Sequence, residues 1–185
     1  MTGRTPHVPA GDPSEPGVAV AVTPQAHALI DHTGIPGSGG GPTIPAAVNA
    51  TGGAIAKGTV VGAATGGPNR IQPFDANDGS LPASRIVGLV TEAGGIADAT
   101  TGEVSIAAYD EVLFKAGLAV APTDGEDFYG SDTAGRMTTL ADLNANPPAP
   151  GGVIHRLGVV MDASGYAGTS LCTCAFHPGQ RRDLL

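Results

Sequence analysis

The chain has 185 residues, among them 29 glycines, 16 prolines, no tryptophan and four phenylalanines, and carries a formal net charge of −8. That length holds one domain of ordinary size plus an extension. The acidity repels phosphate backbones and excludes nucleic acid as the expected partner, the glycines follow no three-residue period and exclude collagen, and no apolar run approaches the roughly 20 residues of a membrane span.

Residues 1–17 carry Pro6, Pro9, Pro13 and Pro16 among Gly, Ser and charges and contain no signal-peptide apolar region. Proline fixes φ and removes donors, which predicts extended backbone. Gly17–Thr23 alternates Val18, Val20 and Val22 with alanine, a strand pattern. Gln25–His32 fits about one and a half helical turns, and Thr33–Gly41 reads as a flexible connector closed by Pro42–Pro45. Residues 1–45 are therefore expected to be an extended arm that orders on a partner. Within it Val18, Val20 and Val22 would add a strand to a neighbouring sheet edge, and Leu29, Ile30 and Ile35 would plug apolar hollows.

Residues 46–178 read as an all-β body. It opens at Ala46–Val61, AAVNATGGAIAKGTVV, and then repeats short β-forming runs closed by Gly, Asn, Asp or Pro. Strands are predicted at Thr59–Ala63, Arg70–Phe74, Arg85–Glu92, Glu103–Ala107, Glu111–Phe114, Leu118–Val120, Asp127–Gly130, Arg136–Thr139, Val153–Asp162 and Thr169–Phe176, with a helical fragment at Leu140–Asn144. In Arg85–Glu92, strict alternation puts Ile86, Gly88 and Val90 on one face and Val87 and Leu89 on the other. Turn signals every eight to twelve residues predict a small β-barrel or β-sandwich. Gly88 in IVGLV and Gly158 in RLGVV read as two related strand positions where glycine makes a bulge or admits another backbone, with chance recurrence in a Gly-rich chain as the alternative. Residues 179–185, with Arg181 and Arg182, are expected to be a solvated tail.

The candidate chemistry is sparse. Cys172 and Cys174 would face the same way along one strand, about 6.6 Å apart at Cα, near the limit for a bridge, so they are expected reduced and buried. Asp75–Gly79 departs from the calcium-loop pattern, with Gly fifth and Ile86 in the twelfth place, and reads as an Asp-Gly turn. Asp124, Glu126 and Asp127 form an acidic cluster, read as a polar turn with a cation between subunits as the alternative. His27, Asp31 and His32 lack a third metal ligand. No Gly-x-Ser-x-Gly, P-loop or dinucleotide spacing occurs. No catalytic, metal or cofactor-binding residue is assigned, and the expectation is a protein that is not an enzyme.

The segment Gly53–Val61, followed by Ile86–Val90 and Leu157–Val160, resembles the small β-rich virion proteins of tailed bacteriophages. Phe128–Asp132, Met137–Thr139 and Pro147-Pro148 echo the segment that closes such domains, and His27–Gly37 resembles phrases near the attachment ends of phage appendage proteins. The resemblance implies a β-tulip-like or barrel body, trimerisation, and attachment to a major capsid or tail protein through the arm, with no catalytic residues to carry over. It implies a capsid decoration or head-fibre subunit of the virion, assembled in the bacterial host cytoplasm. The alternatives are a tail-fibre or baseplate adaptor and a receptor- or glycan-binding module.

Overall fold

The computed structural model describes residues 42–78 and 85–178, and the backbone of 181–183. They lie within one compact unit, Gly39–Leu185. Eleven strands are described: β1 Thr43–Asn49, β2 Val60–Ala63, β3 Arg70–Pro73, β4 Ile86–Val90, β5 Thr101–Ser105, β6 Ala108–Leu113, β7 Asp127–Gly130, β8 Met137–Thr139, β9 Val153–Asp162, β10 Leu171–Phe176 and β11 Arg181–Asp183. Two short helices, α1 Leu140–Ala145 and α2 Tyr166–Thr169, complete the body. The all-β body is as expected.

β1 to β5 close into a barrel in the order β1-β3-β2-β4-β5, with β1 parallel to β3 and antiparallel to β5. Ala47, Ile55, Val61, Ile71, Val90, Ile96 and Val104 fill its interior. The strands alternate as pleated backbone must: Val61 and Val90 point into the barrel, while Val60 and Leu89 point out into a second, larger core. That core joins the barrel wall to the second sheet, of order β6-β10-β9-β7-β8, and holds Phe74, Phe114, Phe128, Met137, Leu157 and Phe176.

The second sheet repeats the first. In the barrel, β1 neighbours β3 and β5; in the sheet, β6 pairs with β10, and a parallel bridge from Phe114 to Met137 brings the end of β6 to β8. The registers coincide residue for residue. Val61 pairs with Pro73 and Gly88, and Phe128 with Thr139 and Gly158. Leu89 pairs with Ser105 and Val90 with Val104; Val159 pairs with Ala175 and Val160 with Cys174. The turn before each second strand is also shared. Gly58 N donates to Val90 O at 2.8 Å and Val90 N to Thr59 O at 3.0 Å; Gly125 N donates to Val160 O and Val160 N to Glu126 O, both at 2.8 Å. Both glycines have φ near +80° (79° and 81°), the left-handed region that a side chain disfavours. The body is thus two copies of one five-strand unit, residues 43–105 and 108–176.

Gly88 and Gly158 occupy equivalent places and do both things expected of them. Opposite Val61 and Gly62, β4 carries one extra residue, Val87; opposite Phe128 and Tyr129, β9 carries Leu157. Each bulge reverses the side-chain phase. Ile86 and Leu89 therefore join the outer core while Val87 and Val90 turn toward the barrel interior. The strict alternation expected for Arg85–Glu92 therefore fails at Val87, which exchanges the sides expected of Ile86 and Val87.

Other local differences have equally local causes. β1 begins at Thr43, inside the segment assigned to the arm; Pro45, which has no N–H to give, sits with Ala46 in a bulge between Ile44 and Ala47. Leu118–Val120 forms no strand: Gly117 turns the chain at φ +70°, and Leu118 N donates to the Tyr166 hydroxyl at 2.9 Å. Ile106, past the end of β5, is 40 % exposed, so it does not alternate inward with Val104. Residues 181–183 pair with Val153–His155 as β11. The helical fragment at Leu140 is present, capped by Thr139, whose Oγ1 accepts from Asp142 N.

Candidate functional site

The residues expected to bind a partner, Val18, Val20, Val22, Leu29, Ile30 and Ile35, lie outside the described residues, as do His27, Asp31 and His32. What remains for chemistry is the polar inventory of the body. Lys57, Lys115 and Arg156 are ion-paired with carboxylates, and several other carboxylates accept from backbone N–H groups.

Lys57, in the turn that leads into β2, meets Asp110 at 3.0 Å and Glu111 at 3.1 Å on β6. Burial works against the Lys57 charge, but the hydrogen bonds and charges of Asp110 and Glu111 outweigh it and hold its pKa above the ordinary lysine value. With Gly58 O accepting Leu113 N at 2.8 Å, this turn covers part of the outer edge of β6. Charged cover of this kind blunts edge-to-edge pairing.

Among the described ion pairs the most enclosed group is Asp142. Its carboxylate accepts from Thr138 Oγ1 at 2.6 Å, Asn146 Nδ2 at 2.9 Å and Lys115 Nζ at 3.1 Å, with only 8 % of the side chain exposed. Lys115 also meets Asp132 at 2.8 Å. Burial alone would raise the Asp142 pKa; the three hydrogen bonds and the Lys115 charge outweigh it and hold the carboxyl below the ordinary range. A depressed folded pKa contributes stability that is complete above the unfolded value, about 3.9, and is lost as pH falls through the folded one. Urea midpoints should therefore drop below about pH 4. Asp142→Asn should lower the midpoint at pH 6 and flatten the acid limb. Equal pH slopes in the two proteins would assign the limb to other carboxylates.

The acidic cluster disperses. Asp124 Oδ1 accepts from Ala163 N at 2.9 Å, Glu126 Oε2 from Thr123 N at 3.1 Å, and Asp127 Oδ1 from Arg156 Nη2 at 2.7 Å. The Arg156 hydrogen bond, against a small burial cost, lowers the Asp127 pKa. Among the described residues no three His, Cys, Asp or Glu gather around one point. Asp75 closes a local turn by accepting Asn77 N at 2.8 Å, and Asn77 Oδ1 accepts Ala149 N at 2.8 Å. These are structural uses of side chains read as ligand candidates.

Cys172 and Cys174 are free and buried, both in the large core. Burial pushes the Cys172 thiol up to about 11 and the Cys174 thiol higher still. Thiols of that kind are inert packing groups.

Among the hollows of the described surface, two bear on function. One, of about 150 Å³, is polar, with Glu111, Asp162, Ser164 and Thr173 on its wall; Asp162 Oδ1 accepts from Ser164 N at 2.8 Å. The other, of about 280 Å³, lies at one end of the barrel and is mainly aliphatic, lined by Ile44, Ala63, Ala64, Ile71 and Val87 with Arg70 on its rim. An aliphatic hollow with one cation is suited to receiving an apolar side chain. Nothing in the sequence marked it, because its lining comes from four separate strand ends and Val87 reaches it only through the bulge. Comparison with family models, with curated proteins and with solved structures gives no match.

Proposed function

We propose that the chain is a non-enzymatic structural protein of a tailed-bacteriophage virion, decorating or stabilising the capsid as a self-associating subunit. One observation carries the reading most directly: a body of two repeated five-strand units, the first closed into a barrel, follows an N-terminal segment of attachment-arm composition. The resemblance of Gly53–Val61, Ile86–Val90 and Leu157–Val160 to phage virion proteins supports the same role, and the acidic surface keeps the body apart from the packaged genome. In this reading residues upstream of Pro42 hold a major capsid protein, with Val18, Val20 and Val22 adding a strand and Leu29, Ile30 and Ile35 supplying apolar anchors.

The test is truncation, and the fold sets the cut. Pro42 O accepts Ile106 N at 2.8 Å and β1 starts at Thr43, so a deletion must stop at residue 41 to leave the barrel whole. The protein lacking residues 1–41 should melt as the full chain does and lose at least about tenfold in affinity for particles stripped of it, a change of about 1.4 kcal/mol or more. Full occupancy by the truncated protein would remove the arm from the mechanism. Absence of the full chain from purified virions would remove the role itself.

A further inference from the structure

The duplication has an unequal remainder. In the first unit, the residue after β3 is Phe74, which leaves its own barrel and enters the second unit. Its ring meets His155 edge-on at 5.6 Å, and it lies so close to Gly130 that a Cβ there would come within 2.3 Å of Cε1. The backbone follows: Gly135 N donates to Phe74 O at 2.6 Å and Ala76 N to Ser131 O at 2.9 Å. Phe74 is a knob, and its socket is the end of the second unit where β7 finishes and β8 starts.

Register identifies the counterparts. Pro73 pairs with Val61 and Thr139 with Phe128, so the knob of the second unit is Leu140, the residue after Thr139. Leu140 is 49 % exposed. The socket counterparts follow in the same way: Gly130 pairs with Met137 as Ala63 pairs with Ile71, Ser131 corresponds to Ala64, and the bulge residue Leu157 corresponds to Val87. Ala63, Ala64, Ile71 and Val87 all line the hollow of about 280 Å³, beside Ile44, Asn69 and Arg70. A cavity of about 150 Å³ already admits a benzene-sized group. The first unit therefore carries an open socket, and the second an exposed knob.

We infer that copies of this chain associate head to tail, Leu140 of one copy entering the Ala63–Ala64–Ile71–Val87 socket of the next. The occupant is a second copy because the contact continues one already made inside each chain. Knob and socket lie on different units, so the contact is heterologous and builds a ring or an open row. It is a wetter contact than the internal one. Where the first unit presents Val60 and Ile86 beside its knob, the second presents Asp127 and Arg156, ion-paired at 2.7 Å. Association should accordingly be reversible. The inference needs no particular particle, so its failure would leave the attachment test untouched.

Directional cross-linking of the full chain tests it. The two native thiols are buried and held protonated, so introduced cysteines report alone. Leu140→Cys and Ala64→Cys, on separate chains, should form a mixed disulfide under mild oxidation, with neither variant linking to itself. Leu140→Asp, an exposed change that leaves the melt in place, should weaken self-association by about tenfold or more in sedimentation. A full chain that stays monomeric at millimolar concentration would overturn the inference. So would Leu140→Cys chains that link only to each other, the signature of a two-fold contact.

Discussion

Gly158→Ala should leave little folded protein. A Cβ at Gly158 would stand 2.0 Å from Ala175 O and 2.9 Å from the Phe128 ring, and the residue sits at φ +152°. Relief would require parting β9 from β10 at the centre of the second unit, where Gly158 pairs with Phe176 and Val159 with Ala175. The mechanism is overpacking combined with loss of ladder hydrogen bonds, and the expected cost is about 3 kcal/mol or more. Gly88→Ala should behave alike, since its Cβ would lie 2.4 Å from Ser105 O, the carbonyl at the matching place on β5. Gly53→Ala, where nothing stands within 4 Å, is the control and should be near neutral. Urea midpoints and soluble yield of the three variants give the comparison. A Gly158→Ala protein within about 0.5 kcal/mol of the parent, the span of ordinary surface changes, would mean that the strands do not approach as described.

These two glycines were the part of the duplication legible in the sequence. IVGLV and RLGVV share the aliphatic-Gly-aliphatic-Val order because both need an extra residue, then a residue without Cβ, then a return to alternation. Elsewhere, apart from the turn glycines Gly58 and Gly125, the equivalent core positions share burial and no residue type. Val61 answers to Phe128, Ile71 to Met137 and Val104 to Cys174, choices that fill two interiors of different volume and leave no common spelling. Strands such as β2 and β4 were legible because they are short, rich in valine and bounded by turn residues. The side each residue faces was not, because Val87 and Leu157 reset the phase and a bulge has no composition of its own. The Asp142 group was illegible for another reason: Lys115, Thr138 and Asp142 are brought together by the bridge from β6 to β8, a long-range pairing that local pattern does not encode.

Phe74→Ala should cost about 3–5 kcal/mol, the range for removing a buried ring, although Phe74 lies outside the interior of its own barrel. Its side chain is fully buried between the two units, together with Val60, Leu89, Val153 and Leu157. The void left behind would face a glycine at 130 and the His155 ring, neither of which can collapse to fill it. Because that face is what couples the units, the variant should also lose cooperativity. The parent should unfold in one transition, and Phe74→Ala in a broader one, with barrel and second unit reporting different midpoints when followed separately by amide exchange. Leu140→Ala supplies the decisive contrast. It removes the register counterpart of Phe74, yet in a single chain that side chain is half in solvent, so the cost should stay within about 1 kcal/mol at concentrations where copies are apart. At concentrations where copies meet, the same substitution should lower the midpoint further, by mass action on the lost contact. A Phe74→Ala protein that kept both its midpoint and its single transition would mean that the two units hold together through the strands' backbone alone, and the knob and socket would then have no energetic part in either the internal contact or the external one.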